Sequence, residues 1–297
     1  MSALTDLSND LAAIVEEAGR SVVRVEARRR IPSSGIVWSA DAVITASHTV
    51  EHEEEIRVGL PDGSTVPATL VGRDPSTDLA LLRLEGASGL TPAPRGDTSG
   101  LRVGHLVIVL GRPGRTVRAT LGIVSAFGDA WRTPGGVEID HYLQTDVGFF
   151  PGISGGALVD TSGRILGLHT VGLRRRIGMT IPGATIERVA AILTTHGRMR
   201  RGYLGVEPRP VFLPPDQEAA AGQRTGLLLL SVESDSPAQR GGLLVGDILL
   251  GVEGRPTPTP RELMAVLQGE QIGRTLTVRL LRGGQPRDAT ITIGERV

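Results

Sequence analysis

The chain has 297 residues with 32 basic and 32 acidic side chains, so its net charge is zero and it lacks the basic footprint of a nucleic-acid binder. Every basic residue is Arg and there is no Cys, which removes Schiff-base and phosphate-loop lysines, Ser–Lys dyads, thiol catalysis, disulfides and cysteine zinc sites. With 40% hydrophobic and only 3% aromatic residues, alongside 40 Gly and 19 Pro, the composition is that of a turn-rich folded protein with a Val, Leu, Ile and Ala core.

The N-terminal stretch "MSALTDLSNDLAAIVEEAGRSVVRV" carries acids where an export signal needs bases and an apolar run. No segment approaches the roughly 20 apolar residues of a membrane span. This reads as a cytoplasmic chain, or an extracytoplasmic one if the sequence is a piece of a longer protein. Residues 1–20 form an N-terminal helical segment, with Leu7, Leu11, Ile14 and Val15 on one face. Over 21–196, runs such as "SVVRVEA", "AVITA", "ALLRL", "HLVIVLG" and "RILGLHTVGL" alternate with Gly, Pro, Asp and Ser, the pattern of an all-β sandwich or barrel. A helix follows at "ATIERVAAILTTHG", with Ile186, Val189 and Ile192 on one side and Gly197 as its stop. Residues 197–202 read as a linker. A second, α+β domain spans 203–297: strand "TGLLLLSVE", a short helix capped by Ser236 with Pro237 at its first position, strand "DILLGVEG", a helix of about three turns in "TPRELMAVLQGE", and a hairpin in "LTVRLLRGGQPRDATITI". Leu227 to Leu230 are assigned to its core.

The segment "PGISGGALVD", 151–160, crowds Ser154 with glycines. A tight turn is the plain reading. The chemical one is that a serine hydroxyl needs a base for its proton and donors for the oxyanion it forms, and glycines let successive N–H groups converge without Cβ interference. Gly152 and Ser154 are the candidate oxyanion donors. His48, where "AVITA" runs into "SHTV", is the candidate base. Asp78 in "DPSTDLALLRL", directly before an apolar strand, is the candidate orienting acid. Each alone fits a turn, cap or structural residue; together they follow the chain order of the chymotrypsin-type triad.

These fragments, with "LGIVSAFG", "QTDVGFFPGISGGALVD", "RIGMTIP" and "RGYLGV", resemble the HtrA/Deg serine proteases over nearly the whole chain. The resemblance implies a mainly β protein, a chymotrypsin-like double β-barrel followed by a smaller α+β PDZ domain. It implies an ATP-independent serine endopeptidase of protein quality control, acting on unfolded or misfolded polypeptides without metal or organic cofactor. Ser154 would be the nucleophile, His48 the base and then acid, and Asp78 the residue holding the imidazole. Met179, Thr180 and Ile181 would line the specificity pocket and favour modest apolar side chains. Tyr203, Leu204, Gly205 and Val206 would form the PDZ loop that captures peptide C-termini. Helix 260–269 would form the other groove wall, with Leu263, Val266 and Leu267 divided between core and groove. Peptide in that groove would bias the oxyanion loop between two states, and the chain would form a homotrimer through its N-terminal segment. Asp146 matches a family position and reads as a turn-capping carboxylate. Two departures stand out: Ile153 in place of Asn, and Ala157 in place of Pro.

Two other readings compete. "HTVEH" matches the H-x-x-E-H pattern of inverted zinc proteases, with His48 and His52 on one helix face and Glu51 as base. An inactive protease fold would instead serve as a chaperone or peptide-binding scaffold. The remaining histidines read as structural: His105 at a rim, His141 and His169 as satisfied imidazoles beside strands, and His196 at a helix C-terminus. The triples Arg28–Arg30 and Arg174–Arg176 read as solvated loops, or as contacts for acidic substrate or a neighbouring subunit. "GRPGR", 111–115, reads as a β-turn.

Overall fold

In the computed structural model, residues 2–86, 90–92, 94–133, 135–173, 177–200, 202–267 and 271–295 are described. The chain divides into two units, Met1–Thr133 with Glu138–Met199, and Pro134–Val137 with Arg200–Val297. The second arginine triple, Arg174–Arg176, and Arg201 of the linker lie outside the described residues.

The first unit opens with helix α1 (Ala3–Gly19), started by Ser2, whose hydroxyl accepts the Thr5 N–H. Strands β1 (Val22–Glu26), β2 (Ser33–Val37), β3 (Ala42–Ala46), β4 (Ile56–Gly59), β5 (Thr65–Asp74) and β6 (Leu79–Leu84) close a barrel in the order β1-β2-β3-β6-β5-β4. A second barrel takes β7 (Leu106–Gly111) and β8 (Arg118–Gly128). After a small hairpin of β9 (Trp131–Arg132) and β10 (Glu138–Ile139) come β11 (Tyr142–Thr145), β12 (Gly156–Val159), β13 (Ile165–Thr170) and β14 (Met179–Pro182). Its order is β11-β14-β13-β12-β7-β8. Strands β12, β13 and β14 are buried along their whole length and so lack polar alternation. One face fills the second barrel with Leu158 and Leu166. The other joins a core in which Ile36, Ile44 and Leu79 of the first barrel meet Leu110, Leu168 and Ile181 of the second. Each such side chain contributes roughly 1.5–3 kcal/mol by leaving water.

Helix α2 (Gly183–His196) covers this core with Ile186, Val189 and Leu193, and ends at Gly197 in the left-handed region, φ 69°. Its buried stripe passes through Leu193, and Ile192 is only half-buried. On α1, Leu11, Ile14 and Val15 pack inward, whereas Leu7, one turn earlier, is exposed.

The second unit holds a short pair of β15 (Gly202–Tyr203) and β22 (Gly294–Glu295). Its main sheet is β16 (Val206–Phe212), β17 (Thr225–Val232), β18 (Ile248–Val252), β20 (Thr275–Arg282) and β21 (Gln285–Thr292), with β19 (Arg255–Pro256) on β18. Helices α3 (Pro215–Ala221), α4 (Pro237–Arg240) and α5 (Pro260–Val266) accompany it. Ser236 caps α4, and Thr259 with Glu262 forms a capping box on α5. Helix α5 is shorter than the sequence pattern suggests, with Leu267 as its C-cap; residues 268–270 lie outside the described residues. Leu227 and Leu229 are fully buried, but Leu230 is exposed: β17 is a strand, and period-two alternation sends it to the other face.

Candidate active site

The turn before β6 places Asp78. Buried Asp74 accepts from the N–H groups of Ser76 and Thr77 at 3.1 Å and from Thr77 Oγ1 at 2.8 Å. This Asx-type turn leads into Asp78 at φ 58°, a conformation that a non-glycine residue keeps only when its surroundings enforce it. The Ser47 N–H donates to the Asp78 carbonyl at 3.0 Å, which fixes the three-residue 3₁₀ turn Ser47–Thr49 at the end of β3. Asp78 Oδ1 accepts the His48 backbone N–H at 2.8 Å, and Oδ2 and Oδ1 lie 2.8 and 3.1 Å from His48 Nδ1. Thr170 Oγ1 donates to Oδ2 from β13. A carboxylate only accepts, so Nδ1 carries the proton and Nε2 is left as the basic nitrogen. The Asp78 side chain is 5% exposed and that of His48 37%, an acid buried behind an accessible imidazole.

Ser154 follows a loop threaded against β2. Gly152 and Gly155 both have φ 87°, and a Cβ at either would strike a backbone carbonyl, of Pro32 and Ser34 respectively. Ser34 Oγ donates to the Gly152 carbonyl at 2.7 Å and accepts the Arg112 N–H at 2.8 Å, while the Ser34 N–H donates to the Ser154 carbonyl at 3.1 Å. Ile153 is 3% exposed, seated in the second barrel's core. Burial of an apolar side chain thus anchors the loop where the family resemblance has a polar one. Among the described residues, no protein acceptor takes the N–H of Gly152 or Ser154, and no hydrogen bond joins Ser154 Oγ to His48.

His48, Gly152 and Ser154 line one cleft of about 730 Å³ with Phe149, Phe150 and Val171. Arg28 and Arg30 line it too, so the first arginine triple borders the cleft. Met179, Thr180 and Ile181 are buried in β14 and do not line this cleft; Ile181 belongs to the core between the barrels. Asp146 Oδ1 accepts the Ile123 N–H at 2.7 Å. Arg112 of "GRPGR" is buried, donating to the carbonyls of Val22 at 2.6 Å, and of Gly19 and Arg115 at 2.9 Å.

The helix that would set His48 and His52 on one face is not formed. His48 ends in the 3₁₀ turn with Nδ1 engaged by Asp78, and His52 Nδ1 lies 2.7 Å from the Glu54 carbonyl. Among the described residues no group of three or more His, Asp or Glu side chains is arranged to hold a metal. His141 stacks on Phe127 at 5.0 Å. His169 departs from its sequence-based reading. It is fully buried, yet neither ring nitrogen has a partner among the described residues; Gly156 and Thr180 stand opposite it on the neighbouring strands. Burial pushes its pKa down to about 4.

Three contributors carry no local sequence signal: Ser34, Thr170 and Gly172. At Gly172 a Cβ would overlap Asp78 Oδ2 and stand 2.5 Å from His48 Nδ1, so only glycine fits beside the pair. Its N–H donates to Thr170 Oγ1 at 2.9 Å.

In the second unit, Tyr203, Leu204, Gly205 and Val206 line a groove of about 230 Å³ whose other wall is Leu263, Met264 and Leu267. Leu204, Leu263 and Leu267 also belong to the core, while Val266 packs against the core and is not a groove residue. β16 is an edge strand, the position at which a sheet tolerates Pro208 and Pro210. Gly205, at φ 82°, turns the chain into it.

Residues 33–168 match the trypsin-like peptidase domain family and residues 202–293 the PDZ domain family. The serine protease Do-like HtrA of Bacillus subtilis (strain 168) is 33% identical over 286 residues, covering 89% of this chain and 63% of that protein. Periplasmic serine endoprotease DegP of Escherichia coli (strain K12) is 31% identical over 262 residues, covering 85% of this chain and 54% of that protein. The chain therefore spans little more than half the length of these relatives. Among solved structures, a serine endoprotease from Yersinia pestis superposes with a TM-score of 0.77 at 32% identity, covering 96% of this chain and 98% of that one. The HtrA-type protease AlgW with a decapeptide gives 0.77 at 29% identity, covering 96% and 98%.

Proposed function

From the premise that this chain belongs to the HtrA/DegP family of serine proteases, with a trypsin-like domain and a PDZ domain, we propose that it is an ATP-independent serine endopeptidase acting on unfolded or misfolded polypeptides. Ser154 Oγ passes its proton to His48 Nε2 and forms a bond to the scissile carbonyl carbon. The oxyanion is received by the N–H groups of Gly152 and Ser154. The imidazolium, held by Asp78, gives its proton to the leaving amine, and the resulting acyl-enzyme is hydrolysed by water with His48 again as base. No metal or organic cofactor enters these steps. The PDZ groove at Tyr203–Val206 takes peptide C-termini by backbone N–H capture and strand addition to β16, and its occupancy biases the oxyanion loop. Exposed Leu4 and Leu7 of α1 support assembly into a homotrimer.

The observation that carries the reading is the buried, multiply bonded Asp78 holding His48 in one tautomer at a cleft it shares with Ser154. The test is labelling by a fluorophosphonate in wild type and Ser154→Ala, with and without a PDZ-binding peptide, followed by digestion of unfolded casein in the presence of a chelator. Labelling and chelator-insensitive digestion confined to the wild type are expected. The alternative, a protease-fold chaperone or peptide scaffold, draws on the missing Ser154–His48 hydrogen bond. Catalytic contacts often tighten only with substrate bound, and absence of labelling in every state would put the scaffold first.

A further inference from the structure

The second barrel carries a polar site that the triad does not use. His169 lies on β13 next to Thr170, across the sheet from Gly156 on β12 and Thr180 on β14. Its imidazole is fully buried, and both nitrogens lack partners among the described residues. Thr180 Oγ1 on β14 and Thr145 Oγ1 on β11 are buried and unpaired as well. The Thr145 N–H donates to the Gly178 carbonyl at 3.4 Å, and a Cβ at Gly178 would stand 2.7 Å from His169 Cε1 and 3.4 Å from Phe149 Cζ. Adjacent strands thus gather these orphaned atoms at one end of the barrel. Phe149 connects that end to the cleft: its ring centroid is 6.2 Å from that of His169, and the residue, 51% exposed, lines the same cleft as His48 and Ser154.

Folded proteins rarely leave buried polar atoms unpaired, so a cluster of them calls for an explanation, and polar groups of an entering ligand are one. Because desolvation holds the imidazole uncharged at neutral pH, it offers one N–H donor and one acceptor nitrogen, and the two hydroxyls can each donate and accept. An aliphatic side chain entering here would satisfy none of them. A cation or carboxylate would bring an unbalanced charge into a desolvated site facing a neutral ring. A primary carboxamide brings a carbonyl acceptor, two N–H donors and no charge. Sites built around unpaired polar groups discriminate strongly against analogues that cannot pair with them.

We propose that this site is the primary specificity pocket of the protease unit, that Phe149 moves aside to admit the residue preceding the scissile bond, and that His169, Thr180 and Thr145 select glutamine there. This rests on the serine-endopeptidase reading. It departs from the apolar pocket expected of Met179–Ile181, since Ile181 belongs to the core and Thr180 contributes a hydroxyl.

The experiment uses the full chain and peptides amidated at the C-terminus, which keeps them off a carboxylate-capturing groove. Quenched peptides differing only in Gln, Glu, Val or Arg before the cleaved bond are compared by kcat/KM, and the same peptides are bound to Ser154→Ala while the His169 ring signals are followed by NMR. Glutamine is expected to exceed valine by tenfold or more in both measurements, with the His169 signals shifting on binding. His169→Leu should reverse that order; Thr180→Val, a milder change, should narrow it several-fold and stands in should the leucine variant not fold. Equal or better handling of valine, or a preference for glutamate at pH 7, overturns the assignment. If no peptide is cleaved, the endopeptidase reading fails separately, and binding to Ser154→Ala still decides the pocket.

Discussion

Replacing His169 with leucine should change how the protease unit responds to acid. The imidazole titrates at about 6.5 when solvated and at about 4 when folded, because burial disfavours its charged form. Between those values the unfolded chain binds a proton that the folded chain refuses, so the wild type loses stability as pH falls through this window. Stability is fully present above about pH 7 and the loss levels off below about pH 4. A shift of about 2.5 pH units at about 1.4 kcal/mol each gives about 3–4 kcal/mol in all, of which about 3 kcal/mol is lost by pH 4, where the folded imidazole is half-protonated. Other titrating groups are common to wild type and His169→Leu and cancel in the difference between them. Both tryptophans, Trp38 and Trp131, lie in the protease unit, so intrinsic fluorescence during urea unfolding follows that unit alone. The wild-type minus variant stability should fall by about 3 kcal/mol from pH 7 to pH 4. A difference flat to within about 0.5 kcal/mol would mean that the folded imidazole protonates normally and has partners, which removes the basis for calling it orphaned.

Thr170→Val removes the hydroxyl that donates to Asp78 Oδ2; a buried bond to a charged group is worth about 1.5–3 kcal/mol, so kcat/KM on a quenched peptide should drop by about tenfold or more, and a change under about twofold would refute its role. Gly172→Ala should prise His48 from Asp78 and lower the fluorophosphonate labelling rate by about a hundredfold or more, with the Trp-monitored urea transition retained. Gly205→Ala combines φ 82° with a collision against the Ser236 side chain, so the Kd for a C-terminal peptide, read by calorimetry, should rise by about tenfold or more; unchanged affinity would place the peptide elsewhere.

The signals legible in the sequence were local ones. Short apolar runs between turn residues give the barrels, and Ser236 with Pro237 and Gly197 give helix ends, because period and capping are properties of a few adjacent residues. His48 and Asp78 could be picked out because each ends or opens a strand. The residues that complete the site have no such signature. Ser34 reaches Gly152 across 118 positions, and Thr170 reaches Asp78 across 92, by the closure of two barrels against each other. Nothing in "IPSSGIV" or "GLHTVG" announces these bonds. Burial differs from the sequence pattern for a related reason: Leu230 sits in an apolar run, but a strand sends alternate residues to opposite faces whatever their type.

His169 shows why this asymmetry bears on function and not only on folding. A histidine inside an apolar strand is ordinarily matched by a partner elsewhere in the fold, and the sequence offers no way to tell whether that partner exists. Satisfaction belongs to the surroundings, here Thr180 and Gly156 on the flanking strands and Phe149 at the cleft, none of which pairs with the ring. The proposed triad sets what kind of bond is attacked, and its candidate residues follow one another in a recognisable chain order. The side chain accepted next to that bond is set by groups whose identity matters only through where the barrel places them. Reaction type is therefore read early from the chain, while selectivity becomes visible only once unpaired donors and acceptors can be located in space.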